Sequence, residues 1–142
     1  MVQRLKELVF RIDKALCDHL DETGIQFMQF AFKWMNCLLL REFNLKCVIR
    51  LWDTYISEKN GFEDFHVYVC AAFLCQFSSQ LQAMTFDELF GFMQVRYCNN
   101  VGLWSCTLCI LKELTSCHVF LPQAMPTSDW GDTEIEMLLS QA

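Results

Sequence analysis

The chain has 142 residues, 54% of them hydrophobic, 14% aromatic and 20% charged, with a formal net charge of −6 at pH 7. That is the length of one domain, able to bury about 68 to 70% of its unfolded surface, and the composition is too apolar for a disordered segment. Positions 1–60 hold nine Lys/Arg against eight Asp/Glu and the rest two against nine, so no cationic face remains to track phosphates and nucleic-acid binding is excluded.

The first residues, Met1-Val2-Gln3-Arg4-Leu5-Lys6-Glu7, show neither a signal-peptide apolar region nor a transit-peptide bias, which makes the cytoplasm the expected compartment. From Met1 to about Leu20, the residues Leu5, Leu8, Val9, Ile12, Leu16 and Leu20 recur at steps of three and four and predict an amphipathic helix. Asp21-Glu22-Thr23-Gly24 interrupts it. Ile25 to about Phe43 is then apolar around most of its circumference, as a central helix packed on several sides would be. Its most apolar part, Phe27 to Leu40, is shorter than the ~20 residues of a bilayer span and contains Lys33 and Asn36, so no transmembrane segment is expected.

Asn44 is placed to cap a helix running from Leu45 to about Glu58, with Val48, Leu51, Trp52 and Tyr55 as its apolar stripe. In Lys59-Asn60-Gly61, Asn or Gly can take the left-handed conformation that ends a helix. A fourth helix is predicted from Phe62 to about Leu81, and the capping-box spacing of Thr85 and Glu88 predicts a fifth through about Phe92. Beyond Pro126, polar residues through Asp132 lead into a last helix with Ile135, Leu138 and Leu139 at helical spacing. No alternating pattern intervenes. The class is all-α, an irregular array of five to seven helices.

The nine cysteines sit mostly singly in apolar runs, where reduced Cys acts as a small hydrophobe, and a disulfide framework is not expected. Cys106-x-x-Cys109, with Cys98 before it and Cys117-His118 after it, has a metal-like spacing. The pair is nevertheless embedded in Leu103-Trp104-Ser105-Cys106-Thr107-Leu108-Cys109-Ile110-Leu111 rather than on polar turns, so no metal and no cofactor is assigned. His19, His66 and His118 have no nucleophile and acid arranged around them, and no catalytic residue is assigned. His19 reads as a solvated helix-end residue and His66 as lying near a helix start.

Two stretches carry a family resemblance: Phe27-Met28-Gln29-Phe30-Ala31-Phe32-Lys33-Trp34-Met35-Asn36-Cys37-Leu38-Leu39-Leu40-Arg41-Glu42-Phe43, and Ile49-Arg50-Leu51-Trp52-Asp53-Thr54-Tyr55. They resemble the C-terminal helices of TBC-type Rab GTPase-activating domains, nearest in pattern to the member-22 branch. Phe65 to Leu74 resembles the next helix of that domain, and Pro126-Thr127-Ser128-Asp129-Trp130-Gly131 through Leu139 a later one.

The resemblance implies a regulator rather than an enzyme, acting on a Rab-type small GTPase in vesicle trafficking at the periphery of endomembranes. Its family inserts an arginine and a glutamine into the GTPase site, where an arginine finger is worth roughly 10³ to 10⁵ in rate. The arginine comes from Ile-x-x-Asp-x-x-Arg and the glutamine from Tyr-x-Gln. Neither motif is present: Asp13 follows Ile12 directly, and Tyr55, Tyr68 and Tyr97 are followed two residues on by Ser57, Cys70 and Asn99. The expectation is a partial TBC domain over 1–142, cut at both ends and lacking the fingers; the alternative is a non-catalytic helical interaction module for a Rab or another protein. Arg41, Glu42, Arg50 and Asp53 are the candidate partner-contact residues, with Arg50 and Asp53 three apart on one helix. The competing reading is that these groups satisfy one another and the backbone at the edge of the core.

Val95 to Gln123 departs from the family, which passes from a helix like Phe86 to Gln94 almost directly into Pro-Thr-x-x-Trp-Gly. Excising these 29 positions rejoins Gln94 to Ala124 and restores the spacing. Every Val codon begins with GT, Gln can be CAG, and Phe120-Leu121-Pro122 can be written almost wholly in pyrimidines, so the segment reads as a translated retained intron. A genuine Cys-rich insertion, for example one that binds a metal, is the competing reading.

Overall fold

A computed structural model describes residues 1–94 and 130–142. Among the described residues every regular element is helical: α1 (Val2–Ile12), α2 (Lys14–Glu22), α3 (Phe27–Cys37), α4 (Leu45–Ser57), a π turn (Gly61–Phe65), α5 (His66–Gln76), α6 (Ser78–Leu81), α7 (Phe86–Gln94) and α8 (Asp132–Gln141). The all-α class stands, with more and shorter helices than the periodicity predicts.

Three boundaries explain the difference. The first predicted helix divides at Asp13, whose backbone leaves the helical region (φ −140°, ψ 84°) and whose carboxylate accepts from the Leu16 N–H at 3.0 Å as the cap of α2. The same carboxylate accepts a short hydrogen bond from the Ser78 hydroxyl, tying this joint to α6. The second predicted helix stops at Cys37 because Leu38 and Leu39 are left-handed, at φ 48° and 60°. Leucine pays a steric penalty there. The conformation is held by full burial of Leu39 and by the Trp52 indole N–H, which donates to the Leu38 carbonyl at 3.0 Å. The fourth opens as a π turn and breaks again at Phe77.

α4 matches its prediction closely. Asn44 caps it, its side-chain oxygen accepting from the Cys47 N–H at 3.0 Å. Asn60 takes the left-handed conformation after it (φ 58°). At α7, Glu88 reaches back to accept from both the Thr85 N–H and hydroxyl at 2.8 Å, as the capping-box spacing predicts, and these bonds hold its carboxyl below the ordinary range.

α5 is the axis of the core. Val67, Val69, Cys70, Ala71, Phe73 and Leu74 are all buried, so it is apolar around its circumference, with α1, the π turn and α8 packed against it. Aromatic rings continue the core across the fold: Phe73 meets Trp34 (5.3 Å between centroids), Phe43 (4.9 Å) and Phe77 (5.5 Å). Trp130, at the start of the second described stretch, lies over Phe43, Phe73 and Phe77 at 5.4, 6.0 and 6.1 Å.

Cys17, Cys37, Cys47, Cys70 and Cys75 are free thiols. Cys98, Cys106, Cys109, Cys117 and His118 lie outside the described residues, as does the whole of 95–123. Among the described residues no helix is long and apolar enough to cross a membrane.

Candidate partner-contact site and the buried polar chain

The four candidate residues divide between the interior and the surface. Arg41 is exposed in the turn after α3, whereas Glu42 beside it is only 2% exposed. Lys33, from α3, places Nζ 3.1 Å from Glu42 Oε1 and donates to the Met93 carbonyl at 2.5 Å, so one ammonium ties α3, the following turn and α7 together. A buried carboxylate needs such a partner.

Arg50 does not pair with Asp53. Its Nε donates to Glu136 Oε1 at 2.6 Å and its Nη1 to the Thr54 hydroxyl at 2.6 Å. One turn earlier Lys46 pairs with Asp132 at 2.8 Å, so two cations on α4 face two carboxylates on α8 at the same four-residue spacing. Asn44 Nδ2 (2.7 Å) and the Cys47 thiol (3.3 Å) both donate to the Trp130 carbonyl at the end of this seam. Arg50 thus serves the contact between α4 and α8. Asp53 is exposed beside it on α4, and its carboxylate has no partner among the described residues.

His66 stands at a helix start, as its reading placed it, but its burial and its partners were not readable from the sequence. It is 0% exposed at the head of α5. Its Nε2 lies 3.1 Å from the Trp34 carbonyl, which can only accept, so Nε2 carries the proton and Nδ1 accepts from the Tyr55 hydroxyl at 2.7 Å. Cys70 Sγ is 3.5 Å from Nε2. Burial lowers the imidazole pKa to about 4, although its bond to the Trp34 carbonyl works the other way. Burial also pushes the Tyr55 hydroxyl well above the ordinary phenol range, and burial together with the Glu42 charge raises the Cys70 thiol. All three are neutral at pH 7, and the chain Tyr55–His66–Trp34 fastens α4, α5 and α3 to one another. A histidine in a nearly continuous apolar run was the available signal, because such a group must find partners inside. His19 keeps the helix-end place of its reading, in the last turn of α2, but is half-buried rather than solvated, with Nε2 3.1 Å from the Met84 carbonyl, linking α2 to the approach to α7.

The all-helical fold of the described residues matches that of a solved Rab GTPase-activating domain. Residues 1–82 match the Rab-GTPase-TBC domain family, and the chain belongs to it. It is similar to GTPase-activating protein gyp1 of Schizosaccharomyces pombe (42% identity over 99% of this chain and 22% of that protein) and to human TBC1 domain family member 22A (41%, 99% and 22%). It also resembles the crystal structure of the Ypt/Rab-GAP domain of Gyp1p, with a TM-score of 0.75 and 43% identity over 99% of this chain and 34% of that one. The chain spans about a fifth of the length of these curated relatives.

Proposed function

We propose that this chain contributes part of a TBC domain that engages a Rab-type small GTPase at endomembranes, and that it carries no arginine or glutamine finger of its own. Family membership over residues 1–82 supports the first statement. The missing Ile-x-x-Asp-x-x-Arg and Tyr-x-Gln spacings support the second. Without those groups nothing neutralises charge developing on the transferred phosphoryl. The purified chain therefore leaves Rab GTP hydrolysis within about tenfold of the intrinsic rate, far below the 10³ or more of a working finger. Single-turnover hydrolysis measured across a panel of GTP-loaded Rab proteins checks this, and stimulation beyond tenfold overturns it. Saturable Rab binding without stimulation is the result that the non-catalytic interaction reading expects.

Residues 95–123 are not needed by the domain in this proposal. The rings of Phe92 and Trp130 lie on either side of the segment and both contact Phe77, at 5.8 and 6.1 Å, so their centroids are at most about 12 Å apart. Met93, Gln94 and residues 124–129 alone span up to roughly 30 Å when extended. They are enough to close the path. Deleting 95–123 is expected to preserve the helical circular dichroism signal and the cooperative melt; loss of either would show that the segment belongs to the core. Genomic and transcript sequences decide its origin, since exon boundaries away from these two codons rule out a retained intron.

A further inference from the structure

α4 is apolar on two sides, and only one of them is covered. At 3.6 residues per turn, Cys47, Val48, Leu51 and Tyr55 fall within roughly 100° of arc and form the buried face. Leu45, Ile49 and Ile56 occupy a second arc of roughly 40° beyond Trp52, which itself is partly buried against the core. In that arc Leu45 is 68% exposed, Ile49 53% and Ile56 71%. Lys46, Arg50, Thr54 and Ser57 make the polar remainder, from which Lys46 and Arg50 reach α8. Asp53 lies at the edge of the exposed apolar arc, with no partner among the described residues.

A helix apolar over more than half its circumference is a helix packed on more than one side. The solved Ypt/Rab-GAP domain matches this chain over only 34% of its own length, so two-thirds of such a domain has no counterpart here. We propose that the Leu45–Ile49–Ile56 face of α4 is a docking surface for a helical segment of that remaining TBC-domain portion, and that the docked segment supplies a hydrogen-bond donor or cation to Asp53. The carboxylate is what gives the occupant its chemistry. A wholly apolar partner would bury Asp53 unpaired, at a cost that favours a complementary group beside the apolar contact. This assignment rests on family membership and is independent of whether the chain stimulates hydrolysis.

The test exchanges the matching third of the Gyp1p GAP domain for this chain and compares the chimera with the 142-residue chain alone. The pair Ile49→Glu and Ile56→Glu should lower the melting temperature of the chimera by about 10 °C or more, and that of the isolated chain by less than about 3 °C. Asp53→Asn should lower the chimera by about 5 °C and leave the isolated chain within about 2 °C. Glutamate at the Gyp1p position aligned with Ile49 repeats the first comparison in a domain known to fold, should the chimera not assemble. An unmoved chimera or relative, or equal shifts in chimera and isolated chain, overturns the proposal. So does an isolated chain that dimerises through this face and becomes monomeric with the glutamates, because the occupant is then a second copy.

Discussion

Gly61→Ala is expected to destabilise the chain by about 3 kcal/mol or more and to lower its melting temperature by about 10 °C. The glycine is required by proximity: a Cβ on Gly61 would stand 2.0 Å from the Tyr55 carbonyl oxygen and 2.7 Å from the Tyr55 carbonyl carbon and Cα. These are backbone atoms in the last turns of α4, so no side chain can swing away. Relief means shifting the π turn from α4, and Tyr55 is the residue whose hydroxyl holds His66. Gly24→Ala is the control. That glycine has φ +79° but nothing within 4 Å of its would-be Cβ, so it meets only the left-handed strain of about 1 kcal/mol. Thermal denaturation of the two variants side by side checks the argument, and equal losses would refute it.

The second large effect is a pH dependence set by His66. Its pKa is about 4 in the folded chain against an ordinary 6.5, so the unfolded chain binds the extra proton first as pH falls. The stabilisation is complete above pH 6.5, declines through the interval and is gone below about pH 4. That corresponds to about 3 kcal/mol in all. The groups facing the imidazole are Tyr55, the Trp34 carbonyl and Cys70, and none of these side chains is charged at pH 7. Urea unfolding between pH 4 and 7 should show the slope in the parent and a much shallower one in His66→Gln. Exposed carboxylates held below their ordinary range by hydrogen bonds, such as Glu88 and Glu134, titrate in both proteins and cancel in the comparison. Identical slopes would remove His66 as the cause.

What the sequence discloses depends on how local the determining contact is. Asn44 bonding Cys47 and Glu88 bonding Thr85 act three residues apart, and both caps are readable from spacing. The end of α3 is not readable that way. Leu38 and Leu39 are ordinary helix formers turned left-handed by a buried pocket and by Trp52, fourteen residues further on. Asp13 does announce a cap, but the unbroken apolar spacing across it outweighs one residue in any periodic reading. The same holds for the site. Arg50 and Asp53 are adjacent on a helical wheel, yet Arg50 is claimed by Glu136, 86 positions away. Tyr55, His66 and Trp34 meet only because three helices converge.

Trp130 fits against Phe43, Phe73 and Phe77, and this contact sets a clock on synthesis. Fifty-three positions separate Phe77 from Trp130. At roughly 5 to 20 residues per second, a ribosome needs about 3 to 10 s to travel between them. For that interval Phe43, Phe73 and Phe77 have been made and the ring that covers them has not. Without residues 95–123 the distance is 24 positions and the wait is roughly 1 to 5 s. The 29 positions from 95 to 123 therefore more than double the time the core waits for Trp130.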